Sequence, residues 1–301
     1  MEINIEKFLV KEGKKVNLKD CKTEAPKEFK DKQENRKALK KIVGDIETLQ
    51  NVLYAENRQS LLVIFQGIDA AGKDSSIRAI LTGVNPQGVE VTAFKTPSAI
   101  EYEHDYLWRH VQKLPERGRI GIFNRSHYET VLVCKVHPEF ILSENLPDVK
   151  DVKDADDKFF ERRYREIRNF EEYLHDNGTQ VIKFFLNVSK DEQKKRFIER
   201  IKEREKNWKF SAADMKERSF WDEYQKAFTQ ALENTSTSHS PWYIIPCDTK
   251  SYAHLIMASI IKKTLKNMNP KFPEVPEKEE EELQAAYRDL LNEGKEEKEK
   301  K

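Results

Sequence analysis

The apolar residues 61–65 run directly into Gly67-Ile-Asp-Ala-Ala-Gly-Lys73, and a helical pattern over 75–81 follows. A strand, a glycine loop and a helix in immediate succession restrict this chain more than any other feature of it. Gly67 and Gly72 let the backbone curl so that its N–H groups face one centre, and Lys73 adds a mobile positive charge. The start of a helix favours anions for a related reason, since its first amides have no partner within the helix. The segment therefore reads as a phosphate-binding loop, with Ala70, Ala71, Asp74 and Ser75 completing the cradle.

Four more short apolar runs, at 89–94, 120–123, 181–188 and 242–245, alternate with helical patterns. Their hydrophobicity is continuous rather than alternating, as in strands covered on both faces, and the helices between them suit right-handed crossovers. A helix-covered α/β fold with a five-stranded parallel sheet is expected. Ahead of it, Leu39, Ile42, Ile46, Leu49 and Leu53 recur at helical steps and predict an amphipathic helix over 32–57. Residues 1–31 are polar and lysine-rich and read as an arm lying on a domain or on a partner subunit. The main domain is expected over 32–273, with a highly charged lid at about 190–216, and residues 274–301 as a charged helix and tail.

The 54 basic and 53 acidic side chains nearly cancel, so no overall field calls for nucleic acid or a membrane. Any basic site is local. No apolar run approaches the roughly 20 residues that cross a bilayer, and Cys21, Cys134 and Cys247 form neither a disulfide framework nor a zinc site. These features predict a soluble, cytoplasmic protein with inert thiols.

Two loop residues depart from the general pattern. Where Ser or Thr normally follows the lysine as a magnesium ligand, this chain has Asp74. Asp69 sets a carboxylate inside a loop built for anions, which is costly unless it binds Mg²⁺ or meets an acceptor phosphate through a metal or a proton. A second group, Phe123-Asn-Arg-Ser-His-Tyr-Glu129, stands at the end of the third run, where open parallel sheets bind ligands. Arg125 suits a bidentate phosphate clamp. Asn124, being neutral, suits a metal-bound water better than the metal itself. His127 reads as a structural hydrogen-bonding residue more readily than as a proton relay.

Lys95 ends the second run in the equivalent position, either at the site or simply solvated. Trp108 and Arg109 lie on the next helical pattern and belong either to the core or to an acceptor site. Arg196 and Arg200 stand four apart on one helical face; a solvated, salt-bridged row is the plain reading, but the nearby Trp208 and Lys209 favour a lid that closes over phosphates.

Gly67-Ile-Asp-Ala-Ala-Gly-Lys-Asp74, Phe94-Lys-Thr-Pro-Ser98, His104-Asp-Tyr-Leu-Trp-Arg-His110, Phe123-Asn-Arg-Ser-His-Tyr-Glu129 and Asn207-Trp-Lys-Phe210, in this order, resemble the polyphosphate kinase 2 family. The Asn-Arg-Ser-His-Tyr-Glu wording is most similar to its class III members, which phosphorylate both AMP and ADP. The resemblance implies a three-layer α/β/α fold related to thymidylate kinases, and transfer between inorganic polyphosphate and adenine nucleotides, guanine being left open. It implies Mg²⁺, with Mn²⁺ as an alternative. Asp69, Lys73, Asn124 and Arg125 would be catalytic, and Asp69 and Asn124 would face the metal. Asp69, Trp108, Arg109, Arg125, Tyr128 and Glu129 would contact the nucleotide. The loop, Lys95, Arg196 and Arg200 would contact polyphosphate. A homo-oligomer is expected. Two rivals are an ATP-dependent nucleoside monophosphate kinase, against which Asp74 argues, and a scaffold that binds nucleotide without turnover.

Overall fold

In a computed structural model, which describes residues 3–299, a single six-stranded sheet runs through the chain. Its strands are β1 (Leu9–Val10), β2 (Ser60–Gln66), β3 (Val89–Ala93), β4 (Ile120–Asn124), β5 (Thr179–Asn187) and β6 (Trp242–Pro246), in the order β1-β6-β5-β2-β4-β3. The five expected strands are present and mutually parallel. The sixth corrects the count. It comes from the N-terminal arm, where Leu9 and Val10 pair antiparallel with Tyr243 and Trp242. A two-residue strand carries almost no hydrophobic pattern, but it covers the open edge of β6.

Every residue of β2 is buried. Its alternate side chains feed two cores, Leu61, Val63 and Phe65 on one face and Leu62 and Ile64 on the other, which is why the run is apolar without a break. Full burial of each such side chain contributes roughly 1.5–3 kcal/mol. The first face is covered by the helices Lys32–Glu56, Lys73–Leu81 and Lys250–Met268, the second by Asp157–Asp176 and Trp221–Thr235. β3 departs from the expectation of burial on both faces, for at the sheet edge its Val91 is 50% exposed.

The long first helix starts where Asp31 accepts bonds from the amides of Gln33 and Glu34, and stops at Asn57 in the left-handed conformation. Past β2 the chain moves outward to β3, returns to β4, and then crosses to β5 on the other side of β2. β2 is therefore the switch point, and register aligns its end, Phe65, with Asn124 of β4 and Phe184 of β5. The crevice this opens beyond the carboxyl ends is where such sheets bind ligands.

Candidate active site

The glycine loop sits in that crevice. Gly72 (φ +107°) and Ala70 (φ +62°) are both left-handed, an uncommon conformation for alanine that marks a constrained loop. A side chain at Gly67 would crowd Cβ and the carbonyl of Leu186 at 3.1 and 3.2 Å, so glycine lets the loop lie close against β5. No side chain caps the helix Lys73–Leu81, whose first amides are thereby left for a ligand. Ser75 and Ser76 do not compete, since both hydroxyls donate to the Gly72 carbonyl at 2.9 Å.

Lys73 is buried and curls back on its own loop, donating to the carbonyls of Gly67 (2.6 Å) and Ile68 (3.3 Å). Burial, and then the positive charge of Arg125, lower its ammonium to a pKa of about 8. A polyanion binds the protonated form. As pH rises through 8 the free enzyme loses this proton, and kcat/KM for a phosphate donor is expected to fall about tenfold per further pH unit. A bound donor raises the pKa again, so kcat at saturation should hold to higher pH. Lys73→Arg, charged at every pH used, should flatten the kcat/KM profile above pH 8; a drop that persists in that variant would assign the titration to another group.

The second motif faces the loop. Asn124 closes β4, and Arg125, left-handed at φ +65°, donates its amide to Phe65 at the end of β2. This bend aims the guanidinium across the crevice, where Nη2 donates to Asp69 (2.6 Å) and Nη1 to Glu129 (2.9 Å). Glu129 and Asp69, against the cost of burial, hold Arg125 firmly protonated. Asn124 Nδ2 donates to Asp74 at 2.8 Å. An ionised carboxylate only accepts, so Asp74 fixes which way the amide points and leaves Asn124 Oδ1 to accept from something else. The unusual Asp74 thus acts on the second motif.

Other expected residues lie elsewhere. Tyr128 is fully buried and donates to Glu171 at 2.8 Å, so it belongs to the core and not to a nucleotide surface. His127 is buried beside it, 3.6 Å from Glu171. Arg196 is placed beneath the loop: Nη1 donates to the carbonyls of Ala70 (3.0 Å) and Ala71 (2.8 Å), Nη2 to Cys247 (2.5 Å), and Nε to Glu192 (2.9 Å). It holds the loop's shape, and touching a donor would require giving up those bonds. Arg200 faces Asp214 at 3.6 Å. Arg109 pairs with Glu101 and donates to the Lys95 carbonyl, leaving the Lys95 side chain exposed. Trp108 stacks on His104 at 3.9 Å, and Trp208, 78% exposed, stands on the short helix Arg204–Lys209. The Lys209 side chain lies outside the described residues.

A small, partly open pocket joins Asp69, Arg125 and Glu129 to Asp214, Trp221 and Tyr224 of the charged region and the helix after it. Gln193 ties that region to the loop by donating to the Asp69 carbonyl at 2.9 Å, and Arg218 donates in turn to Gln193. Sequence reasoning missed these four contributors, Gln193, Asp214, Trp221 and Tyr224. Trp221 and Tyr224, three apart, look like any amphipathic stripe, and nothing in their spacing marks a ligand. Among the described residues, no three His, Cys, Asp or Glu side chains form a metal site by themselves.

The polyphosphate kinase 2 (PPK2) profile matches residues 29–273. An ADP-polyphosphate phosphotransferase of Rhodopseudomonas palustris is 47% identical over 97% of this chain and all of its own length. An AMP/ADP-polyphosphate phosphotransferase of Meiothermus ruber is 42% identical, covering 81% of this chain and 85% of that one. The crystal structure of polyphosphate kinase 2 from Arthrobacter aurescens TC1 superposes with a TM-score of 0.82 at 34% identity, covering 94% of this chain and 95% of that one.

Proposed function

The chain belongs to the polyphosphate kinase 2 family, and we propose that it moves phosphoryl groups reversibly from inorganic polyphosphate to AMP and ADP, making ADP and ATP. What carries this reading is that the relative matched along almost the whole chain is, by name, an ADP-polyphosphate phosphotransferase. Use of AMP as well is supported by the Meiothermus relative's name and by the Asn124-to-Glu129 motif.

The terminal phosphate oxygen of the nucleotide attacks the end phosphorus of polyphosphate. The anhydride bond to the shortened polyphosphate breaks, and that chain leaves with the electron pair. Lys73 and the uncapped amides of its helix stabilise charge on the transferring group, and Arg125 orients the attacking phosphate. Asp69 and Glu129 keep Arg125 aimed. No enzyme-bound phosphate is needed, and with an anhydride on each side the direction follows concentrations.

The donor set suits Mg²⁺: Asp69 and Asn124 offer only hard oxygen ligands, and this ion is commonly held by one or two carboxylates together with substrate phosphates. It would offset phosphate charge there, with Asn124 Oδ1 accepting from a bound water. A cytoplasmic homo-oligomer is part of the same reading. Exposed Leu283, Tyr287 and Leu290 on the C-terminal helix Glu277–Glu299 support subunit contact, and no helix among the described residues is long and apolar enough to cross a membrane.

The discriminating measurement is the choice of donor. Given AMP, Mg²⁺ and long-chain polyphosphate, the protein should form ADP and then ATP, followed by chromatography. Given AMP with ATP alone at equal phosphate, it should form little. Turnover with ATP only would make it an ordinary nucleoside monophosphate kinase.

A further inference from the structure

The arm does more than close the sheet edge. Thr23 accepts from the Asp248 amide at 2.9 Å and Cys21 from Asn187 Nδ2 at 3.3 Å, so residues 21–23 lie across the carboxyl ends of β5 and β6. That is the edge that bears the phosphate loop. Arg196 links the two directly, bonding Ala70 and Ala71 of the loop on one side and Cys247, next to Asp248, on the other.

Between the arm and the helix Trp221–Thr235 lies a groove of roughly 960 Å³, and a second of roughly 1000 Å³ continues it along the arm, sharing Asn17, Cys21, Lys22, Glu24 and Pro26. The first groove is lined by Asn187, Val188 and Ser189, and Leu186, just before them, lies against Gly67 of the phosphate loop, its Cβ and carbonyl 3.1 and 3.2 Å from where a Gly67 side chain would begin. The two grooves carry seven lysines against four acidic residues, although the whole chain is almost neutral. Lys11, Lys14, Lys19, Lys22 and Lys226 are exposed, and among the described residues none of the five has an ion-pair partner. Unpaired ammonium groups in a row suit a flexible linear polyanion, which binds by charge and releases counterions.

We propose that these grooves form a track for the distal part of the polyphosphate donor, running from the phosphate loop over the ends of β5 and β6 and along the N-terminal arm. The proposal rests on polyphosphate being the donor. Only chains long enough to leave the loop reach the track, so it raises affinity for long donors and does nothing for the shortest.

The test compares a long-chain polyphosphate with tetraphosphate as donors to AMP. In K11E/K14E/K22E, whose three positions are exposed and lie outside the catalytic machinery, KM for the long donor should rise about tenfold, consistent with several weak exposed contacts acting together. KM for tetraphosphate and kcat for both should stay within about twofold. For the unaltered protein, log KM should climb more steeply with log salt for the long donor than for tetraphosphate. Equal slopes, or an unchanged long-donor KM in the variant, overturn the track. Absence of transfer from either donor would instead overturn the polyphosphate reading itself.

Discussion

Replacing Arg125 by alanine is expected to lower kcat/KM by about 100- to 1,000-fold, the usual cost of deleting one charged group aimed at a transferring phosphate. The guanidinium bridges Asp69 and Glu129, with bonds of 2.6 and 2.9 Å to the two carboxylates. Without it those carboxylates face each other and repel the very acceptor they now help to position. The loss should appear in kcat and in KM for AMP, with KM for polyphosphate nearly unchanged, because the donor side belongs to Lys73 and the loop. Arg125→Lys should recover only part of the activity, since a point charge cannot bond two carboxylates in one plane. Residue 125 is left-handed at φ +65°, which costs alanine roughly 1 kcal/mol, so Arg125→Gly controls for backbone strain and should be equally inactive. Initial rates of ADP formation decide the matter. A loss of less than tenfold, or a rise confined to the donor's KM, would remove Arg125 from the acceptor side.

The central strands and the loop were legible because burial on both faces forces an uninterrupted apolar run, and because close approach to β5 at 67 and a left-handed backbone at 72 call for glycine. Asp74 could be recognised as unusual but not explained: its partner Asn124 is fifty residues away, and only parallel pairing of β2 with β4 brings them within 2.8 Å. Arg196 looked like a lid residue because a charged helix looks solvated from its composition. In fact one arginine on that helix points inward to satisfy carbonyls that a sharply curled loop leaves without partners. Tyr128 misled for the opposite reason, a residue beside a functional arginine turning away from the site into the core.

Lys183→Met is expected to destabilise the fold by about 3–5 kcal/mol, the cost of breaking a buried ion pair from one side. Lys183 of β5 is fully buried, as is Glu171 opposite it, and its ammonium donates to that carboxylate, to the Thr235 carbonyl (2.9 Å) and to Ser240 Oγ (3.2 Å). Burial pushes the Glu171 carboxyl upward, but Lys183 and His127 together outweigh it and hold it below the usual carboxylate range. Take the lysine away and the charge has no counterpart. The network also reaches the site, since Glu171 accepts from Tyr128, three residues after Arg125, and Thr235 ends the helix that carries Trp221 and Tyr224. Glu171→Gln added to Lys183→Met removes the stranded charge while keeping an acceptor for Tyr128, and should restore at least half of the lost stability. Urea midpoints of the three proteins, with AMP phosphorylation assayed well below each midpoint, test this directly. If the single variant loses under 1 kcal/mol, or the double variant is less stable than the single, the pair does not hold the core in the way its geometry implies.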